Sequence, residues 1–120
     1  MKRVKSTNPE LLDVVRFLRK KSVEGEAAIW RDVAEMLSAS RRRRVVVNLS
    51  RLNRHTEAKE TVIVPGKVLG VGHLDHSINV AAFSFSEQAR AKVSKASGKC
   101  LSIQEVVRKN PKGTNVRIMG

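Results

Sequence analysis

Arg41 to His55, RRRRVVVNLSRLNRH, is the stretch whose residue types most plainly imply chemistry, since it holds six arginines and no acid. It cannot neutralise itself locally and calls for a polyanion as partner. Val45, Val46, Val47, Leu49 and Leu52 are threaded between the charges. That pattern argues for a folded element docked on a core, one that holds its guanidinium groups in a defined geometry. The planar fork of Arg matches phosphate. Taken alone, Arg41, Arg42, Arg43 and Arg44 would be a solvated charge run, but beside docked apolar positions they favour the bridging of phosphates.

The other chemistry-bearing residues are sparser. His73-Leu74-Asp75-His76 resembles a metal or acid-base cluster, yet its spacing is not that of a zinc pattern and no cysteine or second carboxylate lies close in sequence, so it reads as a loop. Lys67 to Gly72, KVLGVG, is not followed by the Lys-Ser/Thr of a nucleotide loop and lacks the last glycine of a dinucleotide fingerprint. Its glycines predict a tight turn or a close backbone approach. Cys100 has no His or acid near it in sequence and reads as a small apolar core residue. No cofactor or metal is expected. Catalytic groups can assemble in space, so an enzyme built on His73, Asp75 and His76 stays open as an alternative.

Composition narrows the partner. The net charge of +13 drives association with nucleic acid or an anionic membrane. Aromatic residues are only 3 %, which leaves few platforms for stacking unpaired bases and weakens a single-strand reader. The charge is uneven. Residues 40–59 carry 7 Lys/Arg against 1 Asp/Glu and residues 90–120 carry 8 against 1, whereas residues 60–89 carry 1 against 3. The slightly acidic middle should therefore supply interior strands. A single cysteine suggests a reducing compartment. MKRVKSTNPE has no apolar run behind its charges, so no secretory signal is expected, and no apolar stretch approaches the roughly 20 residues of a membrane span. The expectation is a soluble, intracellular protein.

At 120 residues the chain reads as one α/β domain, with a basic arm at 1–6, a helical pair at 7–39 and an α/β core at 40–120. The arm is either loose, as termini usually are, or ordered by phosphate. Thr7-Asn8-Pro9-Glu10 is a helix start, and Leu11, Leu12, Val15 and Leu18 recur at helical spacing up to a basic last turn at Arg19-Lys20-Lys21. A second helix is expected from about Ala27 to Ala39, with Ile29, Val33, Met36 and Leu37 on its inner face and Trp30 packing beside it. Arg31, Asp32 and Glu35 make it too acidic for the recognition helix of a helix-turn-helix.

Val45-Val46-Val47 predicts a strand, Asn48 the cap of a short helix to His55, and Thr61 to Val64 a second strand ended by the turn pair Pro65-Gly66. Ser77 to Ser86 alternates as a core strand. A helix opened by Ser86-Glu87 then places Ala89, Val93 and Ala96 inward and Arg90, Lys92 and Lys95 outward, stopping at Gly98. Ser102-Ile103-Gln104-Glu105 is a capping box for a last short helix; Asn110 to Gly113 turns, and Val116 to Met119 closes as a strand.

VNLSRLNRHT, TVIVPGKVLGVG, NVAAFSFSEQARAKVSKASGK and LSIQEVVRKNPKG together resemble the ribosomal protein eighteen-e family of the large subunit in its short archaeal form, which is related to bacterial ribosomal protein fifteen. The likeness covers nearly the whole chain. It implies a small, irregular mixed α/β core with two N-terminal helices, located in the cytoplasmic ribosome and bound to large-subunit ribosomal RNA and neighbouring ribosomal proteins. A monomer is expected when free. Arg41, Arg42, Arg43, Arg44, Asn48, Ser50, Arg51 and Arg54 are implied as RNA contacts, with Lys67 and Lys112 as weaker candidates. Contacts of the kind made by the long basic C-terminal extension of eukaryotic members are not expected. A regulator binding nucleic acid outside the ribosome is the main alternative, and a nucleic-acid-processing enzyme the lesser one.

Overall fold

The computed structural model describes residues 8–39 and 45–120. The expected basic arm and the Arg41 to Arg44 run lie outside the described residues. The elements run α1 (Pro9–Gly25), α2 (Ala28–Leu37), β1 (Val45–Asn48), α3 (Leu49–His55), β2 (Thr61–Leu69), β3 (Asn79–Phe85), α4 (Glu87–Lys95), β4 (Lys99–Leu101), α5 (Ile103–Lys109) and β5 (Val116–Ile118).

Every strand pair is parallel, in the order β1-β2-β3-β4 with β5 also on β2. Parallel neighbours require crossovers: α3 joins β1 to β2 and α4 joins β3 to β4, β2 reaches β3 through the Gly70 to Ile78 loop alone, and α5 carries the chain from β4 back to β5 beside β2. As the acid-leaning middle of the sequence implied, β2 and β3 are interior. β2 is a near-continuous apolar run because both of its faces are covered. Val62, Val64 and Val68 face a core shared with Leu49 and Leu52 of α3 and Ala89 and Val93 of α4. Ile63 and Ala81 face the opposite core, built with α1, α2 and α5.

Pro65-Gly66 does not end β2, which continues to Leu69. The ladder with β5 stops at Ile63, the ladder with β1 begins at Gly66, and the register toward β3 shifts between Val64 and Lys67. Pro65, which has no N–H to give, sits in that gap. Gly66 is needed for a different reason than a turn: a Cβ there would fall on the Val45 carbonyl, so glycine is what lets β1 approach.

The helix ends follow local chemistry. Asn8 caps α1 by accepting from the Glu10 N–H at 3.0 Å. α1 continues one turn past Arg19-Lys20-Lys21 to Gly25, and it is Glu26, not the glycine, that takes the left-handed conformation (φ 51°) and donates its N–H to the Ser22 carbonyl. α2 is shorter than expected, and its buried face is Trp30, Val33, Ala34 and Leu37. Trp30 is fully buried, and its indole N–H donates to the Pro111 carbonyl at 2.7 Å, joining α2 to the turn after α5. The capping box of α5 is formed by Ser102 and Glu105, and Ser86 caps α4.

Candidate nucleic-acid interface

The arginines of the organising segment that the structure describes ride on α3. Leu49 and Leu52 are fully buried against β1 and β2, which leaves Arg51, Arg54 and His55 exposed on the outer side. Arg51 and Arg54, three apart, are neighbours on the helix surface. One guanidinium nitrogen of Arg51 donates to the Gly120 carbonyl at 3.0 Å, which orients the fork and leaves its other donors available. Arg54 makes no hydrogen bond or ion pair among the described residues. It lines an open groove of about 630 Å³ together with His55, Glu60, Asn115 and Arg117. On the opposite wall Arg117 holds the Glu60 carboxylate with a two-oxygen contact at 2.8 and 3.3 Å. Among the described residues, Arg54 is thus a cation of that groove with no carboxylate attached, although Glu57 also lines it.

The start of α3 is built from outside the helix. Asn48 occupies the cap position but its side chain makes no cap bond, contrary to expectation, and its Oδ1 is buried with no partner among the described residues. The Ser50 N–H instead donates to the Val71 carbonyl at 3.1 Å. The glycines of KVLGVG explain how that carbonyl gets there. A Cβ on Gly70 would meet the Gln88 side chain at 2.8 Å, and one on Gly72 (φ +92°) would meet Ser50 Cβ at 2.6 Å. The segment is pressed between the first turns of α4 and α3, the close backbone approach its glycines implied.

Lys92, expected to point outward, is half-buried and donates to the carbonyls of Gly70 at 2.7 Å and Gly72 at 2.6 Å. Sequence reasoning missed this, because nothing local pairs a lysine with a glycine loop some twenty residues earlier. The remainder of the loop is also tied to α3. Asn53 exchanges two bonds with Asp75, donating to its Oδ2 at 3.1 Å and accepting from its N–H at 2.9 Å. The buried Thr56 hydroxyl donates to the Leu52 carbonyl at 2.6 Å, so it accepts from Nε2 of His76 at 2.8 Å.

The six implied contact residues that the structure describes do not form one patch. Asn48, Ser50, Arg51 and Arg54 share the α3 element. Lys67 is exposed on β2, paired in register with Val46 and Ser84. Since Val68 faces the α3 side of the sheet, alternation puts Lys67 on the other side. Lys112 donates to the Gly25 carbonyl at 2.9 Å, tying the turn after α5 to the end of α1. Arg41 to Arg44 are outside the described residues.

His73 and Asp75 approach to 3.6 Å on an exposed loop, while His76 is engaged by Thr56. Among the described residues no group of three His, Cys, Asp or Glu side chains is placed to hold a metal, and no helix is long and apolar enough to cross a membrane. Cys100 is half-buried against the α3/α4 core. Burial pushes its thiol above the ordinary range, partly offset by Arg90.

The chain is thus a strongly basic α/β protein with a parallel sheet and two exposed arginines on a short outer helix. Residues 1–120 match the family described as ribosomal protein 60S L18 and 50S L18e, and the chain belongs to that family. It is 48 % identical to the large ribosomal subunit protein eL18 of Methanothermobacter thermautotrophicus over 99 % of this chain and 98 % of that one. It is 49 % identical to that of Methanosphaerula palustris, over 98 % and 97 % of the two chains, and 47 % identical to that of Methanoregula boonei, over 97 % and 96 %. Membership makes the chain a structural constituent of the large subunit of the cytoplasmic ribosome.

Proposed function

We propose that the chain binds and scaffolds large-subunit ribosomal RNA through arginine contacts to phosphate, as a single domain that is monomeric when free and acts without catalysing a reaction. The observation that carries this is the geometry of α3: two exposed arginines three residues apart, held over a fully buried pair of leucines. Guanidinium groups fixed on a rigid element can bridge RNA segments that would otherwise repel, and the core sets the spacing between them. Asn48 and Ser50 lie at the same helix start, Arg41 to Arg44 precede it in sequence, and Lys67 and Lys112 are secondary contacts on other parts of the surface. Recognition is of backbone and shape, because A-form RNA hides its base edges in a deep, narrow groove. Neighbouring ribosomal proteins are the other partners.

The test replaces Arg51 and Arg54 together by Ala and measures binding to deproteinised large-subunit RNA across a salt series. The slope of log affinity against log salt should flatten by about one per lost phosphate contact. An unchanged slope with an unchanged circular-dichroism spectrum would remove both residues from the interface.

A further inference from the structure

We infer that Lys92 is a positioning residue for the RNA-contacting helix, acting through the Gly70–Gly72 loop and touching no phosphate itself. The inference rests on the RNA reading of α3 and names what holds that helix in place.

α3 has only seven residues and its own cap side chain makes no cap bond, so its first turn depends on an outside acceptor. That acceptor is the Val71 carbonyl, bonded to the Ser50 N–H. Val71 itself is 62 % exposed, so no side-chain burial anchors it. Its neighbours on both sides are anchored instead, since the Lys92 ammonium takes the Gly70 and Gly72 carbonyls at 2.7 and 2.6 Å. Lys92 lies on α4, whose Ala89 and Val93 are fully buried in the core that α3 shares, so the donor sits on a fixed frame. The chain of contacts runs from the α4 frame through the ammonium to two carbonyls, to the Val71 carbonyl between them, to the first turn of α3, and so to Arg51. An ammonium with two of its donors on backbone carbonyls is a half-buried clamp, unlike Arg54, whose guanidinium has no partner among the described residues. The two cations therefore have different tasks despite equal charge.

The test uses two variants of the full chain. Lys92→Met keeps most of the apolar stem and removes the charge. Gly72→Ala removes no charge and pushes the loop off Ser50 from the other side, because its Cβ would meet Ser50 Cβ at 2.6 Å. Hydrogen exchange is followed by NMR on the Ser50 amide, with the Ile63 and Ala81 amides of the central strands as reference, and affinity for deproteinised large-subunit RNA is measured across a salt series with transfer RNA as competitor.

In both variants the Ser50 amide should exchange faster while the strand amides keep their protection. Affinity should fall about tenfold, about what one charge-assisted hydrogen bond from Arg51 to phosphate is worth, and the salt slope should fall by the same amount in both variants. A slope lowered by about one in Lys92→Met alone would make Lys92 a phosphate contact and overturn the inference. Unchanged Ser50 exchange, or unchanged affinity with faster exchange, would overturn it as well. If the Lys92→Met chain does not fold, Gly72→Ala decides by the same two readouts. Wild-type protein that shows no preference for the ribosomal RNA over transfer RNA would refute the RNA reading instead, and Ser50 exchange would still decide the clamp.

Discussion

Gly66→Ala should be among the most damaging single-methyl changes available in this chain. The added Cβ would fall on the Val45 carbonyl oxygen, with the carbonyl carbon at 2.8 Å and Cα at 3.2 Å, all backbone atoms of a paired strand. No side-chain rotation relieves such a clash, so β1 must move outward at the Val45↔Gly66 pair. Overpacking of this kind costs about 1–3 kcal/mol, and one or two weakened ladder hydrogen bonds add about 0.5–1.5 kcal/mol each. The sum is about 1.5–6 kcal/mol. For a chain of this length each kcal/mol lowers Tm by about 4 °C, so thermal unfolding followed by circular dichroism should shift down by about 6–24 °C. Gly25→Ala provides the control. Gly25 ends α1 with a helical φ, and its Cβ would meet only the Pro111 carbonyl at an ordinary 3.5 Å. There the same methyl should raise stability by about 0.4–1 kcal/mol through the unfolded chain. Opposite signs are expected from identical chemistry. A Gly66→Ala protein melting within about 2 °C of the wild type would refute the close approach of β1 to β2, and with it the placement of α3 that follows from β1.

The remaining predictions concern the interface, the thiol and one cap. If Arg51 and Arg54 each hold one phosphate, the double Ala variant loses about 1.8 from its salt slope, and its affinity deficit against wild type should narrow about twelvefold between 50 and 200 mM salt; filter binding reads this directly. Cys100 should alkylate more slowly at pH 8 than a free thiol, because burial disfavours the thiolate. By linkage, a thiol with a raised folded pKa gives stability that is fully present below its unfolded value and lost as pH rises through the folded value. Denaturant midpoints of the wild type, compared with those of Cys100→Ala, should therefore diverge in the alkaline range above about pH 8.5. Ser102→Ala, which removes half of the capping box of α5, should cost about 1 kcal/mol and about 4 °C, and an unchanged Tm would mean the box contributes nothing.

Much of this protein was legible in its sequence because its signals are local. Asn8, Ser86 and Ser102 each stand before an apolar helical repeat, and each caps its helix. The alternation of Ser77 to Ser86 yields β3, with Val80 and Ala82 facing one core and Ala81 the other. Burial of Leu49 and Leu52 with exposure of Arg51 and Arg54 follows from helical period alone. Only the tertiary structure decided the rest. Pro65-Gly66 reads as a turn, since a local rule cannot see that one side of β2 changes partner from β5 to β1 at that point, leaving room for a residue without an N–H and requiring one without a Cβ. Asn48 reads as a cap, yet the Val71 carbonyl does that work from the loop after β2. Lys92 reads as an outward charge and Lys112 as a weaker RNA contact, but Lys92 finds two backbone carbonyls and Lys112 one, all distant in sequence. Composition set the total charge and hence the class of partner to expect; which cations the fold leaves available depends on carbonyls that only the folded chain brings within reach.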